Sequence, residues 1–370
     1  MWLRPLASPR TRAGLALLVP IVLIATFAHG PAPRGAIYPT LCLPSVRRDA
    51  DDCAIWIHPT DPARSVVIGN DKSGSRRGIY MYDLRGKVLQ FVPIGRPSNL
   101  DVRYGMSLGD RSVDICAVVE RDLNQVRVFA FDPATCRLSE VTGPKGVSTH
   151  IQGDTYGFAL YRRPSDGALF AFATARHGGD VHQVQLRDNG HGQVEGILVR
   201  RFGGSAVKTL VEGMVADDEL SFLYAADERN AVLKFHADPA RGNALLQKFA
   251  TDDGIRGDRE GIAIYHADEA TGYLLLSSQG NDTVKVYARE GDNRFLKTVF
   301  TMNSSHTDGL DVTSRPAGPD FPKGFLVCHD SPGRRFVLYP WQDVAGADLR
   351  ISTAYDPRKT PVKPDHRTPH

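Results

Sequence analysis

Cysteine is scarce in this 370-residue sequence, and so is net charge of either sign. The five cysteines match no zinc-binding spacing, and the chain is far too long for a minimal disulfide scaffold. The 45 basic and 42 acidic residues leave a formal net charge of only +3, which predicts no nucleic-acid-binding surface. No sustained helical period is present, and the 42% hydrophobic and 24% charged content is ordinary, which argues against coiled coil, collagen and disorder.

The apolar run nearest the N-terminus is too short and too broken to span a bilayer. It extends from Leu15 to Phe27, contains a proline, follows three arginines and places small residues at Ala25 and Ala28. Since a membrane-spanning helix needs ~20 apolar residues, the pattern predicts a signal peptide over residues 1–28. The alternative is an uncleaved N-terminal anchor. Cleavage predicts a secreted or periplasmic protein with no membrane attachment.

Export would place the cysteines in an oxidising compartment, where they can pair. An odd number leaves at least one thiol unpaired in a monomer. Bridges between Cys42 and Cys53 or between Cys116 and Cys136, and buried free thiols, all remain open at this stage. The five positions are Cys42, Cys53, Cys116, Cys136 and Cys328.

Short apolar segments recur along the chain after about residue 45. Each of six units opens with an acid or a tyrosine, at Asp52, Asp101, Tyr156, Glu212, Glu260 and Asp308. The intervals between these markers are 49, 55, 56, 48 and 48 residues. Two or three runs with period-two alternation follow each marker, as at residues 66–68 and 79–82. Such runs, bounded by glycine, proline and aspartate, predict strands.

Six units of about four strands each predict an all-β fold, a six-bladed β-propeller over residues 45–355. A pair of β-sandwiches would explain the strands, but it would not explain six equivalent markers. Residues 29–44 are predicted to be a linker, and residues 356–370 a flexible tail.

The markers predict a ring of acids around the central channel, because the first strand of each unit should be the innermost. Asp51, Asp258, Glu228 and Gln279 lie in the same stretches. Crowded carboxylates repel one another and require cations or raised pKa values. A donor set of oxygen atoms alone suits Ca²⁺, which takes six to eight such ligands. The alternative is that these acids are turn residues that accept hydrogen bonds from backbone amides.

Three bases follow the second strand of the first three units. They are Lys72, Arg121 and Arg176, and Tyr156 opens the third unit beside them. Bases beside an acidic ring indicate an anionic ligand held between cations and metal ions, since lysine and arginine donate charge-assisted hydrogen bonds to phosphate. Taken singly, each could instead be a solvated surface residue.

Seven short motifs, in this order and spacing, resemble those of the β-propeller phytases, also called alkaline phytases. They lie at residues 49–59, 99–104, 156–158, 212–218, 258–261, 277–281 and 307–311. The resemblance covers roughly residues 45 to 345. It implies a six-bladed propeller that hydrolyses phytate, myo-inositol hexakisphosphate, with several calcium ions at one end of the channel.

Carried over position by position, the resemblance implies site roles for individual residues. Lys72, Arg121 and Tyr156 would contact phosphate, and Arg176 stands where the family usually has lysine. Cys53 replaces the usual proline of the opening motif, and His177 replaces a polar residue and could contact substrate. The implied metal ligands are Asp51, Asp52, Glu212, Glu228, Asp258, Glu260, Gln279 and Asp308, to which the marker pattern adds Asp101.

The chemistry implied is stepwise release of phosphate from phytate, bound as a calcium complex, by a monomeric 3-phytase-type phosphoric monoester hydrolase. The sequence shows no serine or cysteine nucleophile with a paired base, so direct attack by metal-bound water is the expected mechanism. Two alternatives stay open. One is a secreted calcium-binding propeller without catalysis, and the other is a calcium-dependent propeller lactonase or diesterase-type hydrolase.

Overall fold

The computed structural model describes residues 1–2, 32–268 and 270–359. Most of the segment predicted to be a signal peptide, residues 1–28, lies outside the described residues. The signal peptide and the location that follows from it therefore stay predictions. Among the described residues, no helix has both the length and the apolar character needed to cross a membrane.

The described chain folds into six antiparallel blades of strands, as the alternating apolar runs predict, and one parallel bridge between Phe158 and Gly213 joins the third and fourth blades into a single sheet. A two-residue strand, β1 (Leu41–Cys42), comes first. Blade one holds β2 (Ala50–Trp56), β3 (Val66–Asp71), β4 (Gly78–Asp83) and β5 (Val88–Pro93). Blade two holds β6 (Pro97–Leu108), β7 (Arg111–Glu120), β8 (Gln125–Asp132), β9 (Arg137–Glu140) and β10 (Val147–Ser148). Blade three holds β11 (Thr155–Arg162), β12 (Leu169–Ala175), β13 (Val181–Asp188) and β14 (Val194–Phe202).

The last three blades follow the same plan. Blade four holds β15 (Val211–Asp217), β16 (Phe222–Asp227), β17 (Ala231–His236) and β18 (Leu245–Phe249). Blade five holds β19 (Ile262–His266), β20 (Gly272–Ser278), β21 (Thr283–Ala288) and β22 (Phe295–Phe300). Blade six holds β23 (Leu310–Thr313), β24 (Phe325–Asp330), β25 (Arg335–Pro340) and β1.

The first long strand of each blade lines a central channel. These inner strands contact one another in the order β2, β6, β11, β15, β19 and β23, and β23 contacts β2 again, which closes a ring of six. The strand β1 from the start of the chain completes the last blade as its outermost strand, where Leu41 pairs with Leu338 of β25. The fold is thus a β-propeller, as predicted, and β1 lies inside the segment predicted to be a linker. Two residues are too few for an alternation to reveal.

The hydrophobic core lies between neighbouring blades. Phe172 of blade three packs in one cluster with Leu223 and Leu233 of blade four, and comparable clusters fill the spaces between other blades. Four 3₁₀ turns and one short helix complete the described structure, at Pro62–Arg64, Gly204–Ala206, Pro239–Arg241, Gln279–Asn281 and, for α1, Trp341–Ala345. Each blade buries the faces of its neighbours, so the blades form a single array.

The structure also shows the state of the thiols and of the first tail residues. All five cysteines, each among the described residues, are free, and only Cys42 is exposed. Arg358, which lies in the predicted tail, donates hydrogen bonds to the carbonyl of Ile57 and to the Asp114 carboxylate. The tail is therefore anchored as far as Arg358. Residues 360–370 lie outside the described residues, and for them flexibility stays a prediction.

Candidate active site

A register shift near the start of the inner strands sets the positions of the side chains at one end of the channel, called the mouth below. The shift lies between Ala50 and Cys53 in β2 and recurs at the same place in β6, β11 and β15. Such a bulge inserts an extra residue and redirects a side chain. The equivalent first bulge positions are Asp51, Ser98, Tyr156 and Glu212, and Glu260 and Asp308 hold the matching places before β19 and β23.

This register differs from the predicted one in the first two blades. Asp51, rather than Asp52, is the counterpart of Glu212, and Ser98, rather than Asp101, is the counterpart in blade two. The reason is physical: the bulge depends on how β2 and β6 pair with their neighbours, and no local apolar pattern encodes that pairing.

Glycine after the marker residue brings neighbouring blades together at the mouth. A Cβ atom on Gly213 would lie 1.6 Å from the carbonyl oxygen of Glu260, and one on Gly261 would lie 2.6 Å from that of Asp308. Only glycine permits this approach of one backbone to the next. The acid–glycine pairs in the sequence are therefore a packing requirement of the ring as well as a source of carboxylates.

Three carboxylates from two blades meet at the mouth. Glu212 and Glu228 belong to blade four and Glu260 to blade five, and one ligand atom from each lies within 4.8 Å of the others. All three residues are buried, and Oε1 of Glu228 and Oε2 of Glu260 lack a hydrogen-bond partner among the described residues. Buried carboxylate oxygens without partners are costly, so this cluster is incomplete without a cation or protons.

The pKa values of this cluster move as expected for crowded acids. Burial and then the neighbouring Glu212 raise the pKa of Glu260 to about 11 and that of Glu228 to about 7. The pKa of Glu212 is raised by burial and then by the charge of Asp51. The donors are all oxygen atoms and two of them are unsatisfied, so the residues present fit a hard divalent cation such as calcium.

A second acidic group lies beside the first, in blades six and one. The Lys72 ammonium is 2.5 Å from Oδ1 of Asp51 and 3.9 Å from Oδ2 of Asp308. The side-chain amide of Gln279 donates to Oδ1 of Asp308 at 2.6 Å. Burial and the charge of Asp51 raise the pKa of Asp308 to about 8. Lys72 thus balances part of the carboxylate charge at this side of the mouth.

Two further predicted ligands belong to the mouth, and each has a protein partner. Oδ2 of Asp52 accepts the backbone N–H of Leu100 at 2.9 Å, and burial raises the pKa of Asp52 well above its usual range. Oδ1 of Asp258 accepts from Nε of Arg229 at 3.1 Å.

Asp101 is the predicted ligand that the structure places elsewhere. Its Oδ1 is 2.9 Å from Nη1 of Arg103, and its Oδ2 accepts the backbone N–H of Leu160 at 2.8 Å. With Asp218 and Asp311 it lines a channel cavity of about 110 Å³. No described contact joins it to Glu212, Glu228 or Glu260. Asp101 therefore serves an ion pair inside the channel, and its prediction as a mouth ligand is not supported.

One backbone hydrogen bond repeats at the mouth and defines a second ring of equivalent positions. In each case the residue after the second strand donates its N–H to a carbonyl two residues before the first bulge position, as Lys72 does to Asp49 at 3.0 Å. The ring reads Lys72, Arg121, Arg176, Glu228 and Gln279 in blades one to five. Bases in three successive blades are thus followed by an acid and an amide, so the mouth has a basic side and an acidic side.

Tyr156 lies between two of these bases. The guanidinium carbons of Arg121 and Arg176 are 5.3 Å and 5.2 Å from the centre of its ring. Burial and then the charge of the neighbouring Glu212 carboxylate raise the pKa of Tyr156. Cations over an aromatic face are attracted by its quadrupole, so the ring orders both guanidinium groups at the edge of the acidic cluster.

Two residues at the mouth escaped assignment from the sequence. Nδ1 of the buried His329 accepts the backbone N–H of Asp308 at 3.2 Å, and burial lowers the pKa of His329 to about 4. The carboxylate of Asp154 binds Arg121 through two hydrogen bonds. The position of Asp154 two residues before Tyr156 was visible, but its partner became clear only in the fold. His329 directly follows the second apolar run of its unit, and nothing in that sequence pattern indicates a role for it.

The fold and the site together define a β-propeller with a charged site of acids and bases at one mouth of its channel. Comparison with known proteins is more specific. The family described as Phytase matches residues 40–335. A 3-phytase of Bacillus subtilis (strain 168) is 34% identical over 337 residues, which cover 85% of this chain and 86% of the relative. The chain belongs to the phytase family and is a phosphoric monoester hydrolase.

The chain is also similar to solved structures of low sequence identity. A luciferin-regenerating enzyme is 14% identical with a TM-score of 0.49, covering 80% of this chain and 91% of that one. Regucalcin, a calcium-binding protein of Agrobacterium tumefaciens str. C58, is 15% identical with a TM-score of 0.46, covering 87% and 99%.

Proposed function

We propose that the protein hydrolyses phytate to lower inositol phosphates and inorganic phosphate in a calcium-dependent reaction, acting as a monomer on a calcium complex of the substrate. The observation that carries this proposal is the mixed charge of the mouth, where bases of blades one to three lie beside the carboxylates of blades four and five and the Asp51–Lys72–Asp308 group of blades one and six. A substrate with many phosphate groups can contact both sides at once. A family that contains a 3-phytase supports the choice of substrate.

The bases bind phosphoryl oxygens and stabilise the charge that develops on the transferred group. Arg121 and Arg176 place guanidinium groups over the ring of Tyr156, and Lys72 adds an ammonium group beside Asp51. Hydrogen bonds between ionised partners are about twice as strong as neutral ones. Groups held in place before the reaction lose no free energy to reorganisation during it.

The carboxylates hold the cations that such a substrate requires. Glu212, Glu228 and Glu260 form one candidate set, and Asp51, Asp52, Asp258, Gln279 and Asp308 surround it. Bound divalent cations would neutralise phosphate charge, polarise the phosphoryl oxygens and lower the pKa of water. The protein residues contribute by fixing the donors in a dry, rigid ring of strands.

The first experiment measures phosphate release from phytate by the purified chain with calcium, with a chelator, and with calcium restored. We expect release that stops with the chelator and returns with calcium. Bis(4-nitrophenyl) phosphate and a simple lactone serve as comparison substrates for the diesterase and lactonase alternatives. Calcium binding without phosphate release would leave a binding propeller, and faster cleavage of either comparison substrate would replace the proposed reaction.

Calcium should also stabilise the fold, and more strongly at pH 8 than at pH 5. Burial raises the pKa of Asp308 to about 8 and of Glu228 to about 7, so the folded protein binds these protons more tightly than the unfolded chain. The stability they confer is full below about pH 4 and is lost as the pH rises through the raised values. Calcium replaces the proton as partner. Scanning calorimetry at pH 8 should show a melting temperature about 5 °C or more higher when the calcium concentration is 100 times its dissociation constant.

Sodium chloride at equal ionic strength is the control for screening. An equal increase with sodium chloride, or a larger calcium effect at pH 5 than at pH 8, would contradict a specific site at these carboxylates.

A further inference from the structure

Asp154 binds the side chain of Arg121 and the backbone of Arg176, the two arginines that lie against Tyr156. Its Oδ1 accepts from Nε of Arg121 at 2.8 Å, and its Oδ2 accepts from Nη2 of the same guanidinium. Its backbone carbonyl accepts the N–H of Arg176 at 2.9 Å. A bidentate pair fixes the plane of the guanidinium as well as its position.

The pair is well shielded on the arginine side. The Arg121 side chain is only 5% exposed, while that of Asp154 is 27% exposed and also accepts from Nη2 of Arg96 at 3.1 Å. The hydrogen bonds and charge of Arg121 lower the pKa of Asp154, so the carboxylate stays ionised at neutral pH. Asp154 uses the Nε–H and one Nη2–H of Arg121, so the second Nη2–H and the two Nη1–H groups are left for a substrate oxygen.

We propose that Asp154 is a positioning residue, whose carboxylate fixes the plane of the Arg121 guanidinium so that this group is preset to bind one phosphate group beside Arg176. This inference rests on the proposed function, since the preset guanidinium needs a phosphorylated substrate. Asp154 itself carries the same charge as phosphate and does not contact it.

Whether neutralising Asp154 weakens or strengthens phosphate binding distinguishes a positioning role from a purely electrostatic one. If Asp154 only offset the charge of Arg121, its neutralisation would leave a more positive site and tighten phosphate binding. If Asp154 positions Arg121, neutralisation frees the guanidinium to rotate and loosens binding. An arginine that must be ordered on binding costs free energy that a preset one does not.

The test compares Asp154→Asn, Asp154→Glu and Asp122→Asn. Asp122 directly follows Arg121; it pairs with Arg77 at 3.2 Å and accepts the backbone N–H of Arg96 at 3.1 Å. Its substitution therefore controls for the loss of a negative charge near the mouth. Each protein is assayed for kcat and KM with phytate, for its dissociation constant for inorganic phosphate by calorimetry, and for its melting temperature.

We expect Asp154→Asn to raise KM and the phosphate dissociation constant about tenfold and to lower kcat less than about threefold, with little change in melting temperature. Asp154→Glu should restore most of the loss, and Asp122→Asn should leave both constants unchanged or lower them. Unchanged or tighter binding by Asp154→Asn would overturn the proposal, as would a lower melting temperature with unchanged KM. If the unaltered protein released no phosphate from phytate, the proposed function would fail, and calorimetry with phosphate would still decide the role of Asp154.

Discussion

Glu260→Gln is expected to slow phosphate release from phytate by about 10³-fold, the largest effect on activity expected of a single substitution here. Glu260 is the central carboxylate of the mouth cluster, with Glu212 and Glu228 as neighbours and one oxygen without a partner. The amide has nearly the same volume but no negative charge. A metal contributes several kcal/mol of transition-state stabilisation, and ~4 kcal/mol corresponds to about three orders of magnitude in rate.

The same substitution should not weaken the calcium-free fold. Burial and the charges of Glu212 and Glu228 raise the pKa of Glu260 to about 11, which means that ionising it in the folded protein is unfavourable. Folding at neutral pH must therefore protonate this carboxylate, which costs free energy, and a neutral amide removes that cost. We therefore expect an equal or higher melting temperature without calcium, together with a smaller increase when calcium is added.

Glu195→Gln is the matched control, because Glu195 is ion-paired with Arg187 on an outer strand. Steady-state phosphate release, calcium titration by calorimetry and melting temperature should be measured for both variants. Full activity in Glu260→Gln, or activity lost along with the fold, would show that Glu260 is a structural carboxylate and not a cation ligand.

Asp217→Asn is expected to have the largest effect on stability. Asp217 and Arg289 are both completely buried, with Oδ1 and Oδ2 each 2.6 Å from a guanidinium nitrogen. The pair connects the end of β15 in blade four to the segment after β21 in blade five. Removing one partner of a buried ion pair leaves the other charge uncompensated, so we expect the free energy of unfolding to fall by about 3–5 kcal/mol.

Urea unfolding with and without the substitution measures this loss. Asp166→Asn is the control, since Asp166 forms an exposed pair with Arg163 at 2.6 Å and should lose at most about 1 kcal/mol. The remaining contact of Arg289 with Glu219, also at 2.6 Å, sets a limit on the loss. A loss no larger than that of the control would mean that Glu219 alone compensates Arg289.

Much of the architecture can be predicted from local patterns. Alternating runs such as Val284 to Tyr287 are strands in the fold, because successive side chains of a strand point to opposite faces of the sheet and so repeat with a period of two. The repeat interval predicts a propeller, and the propeller is confirmed. Seven motifs indicate the phytase family, which the comparison with known proteins also shows.

The candidate site was only partly accessible to that reasoning. Lys72, Arg121 and Arg176 occupy equivalent positions as expected, because the end of a strand can be located from its apolar run. The sequence assigned no role to His329 or Asp154, whose contacts at the mouth appear only in the fold. Glu260 meets Glu212 and Glu228 only because blade five packs beside blade four.

Local chemistry thus specifies strands, repeat and family, since alternation, turn residues and acid–glycine pairs act over a few neighbouring residues. Register and assembly are tertiary properties. A β-bulge, and not a local pattern, makes Asp51 rather than Asp52 the counterpart of Glu212. The ion pair of Asp101 inside the channel and the hydrogen bonds from Arg121 to Asp154 likewise depend on how the strands pair and pack. A one-residue change of register reverses the face on which a side chain lies, and only pairing with neighbouring strands selects the register.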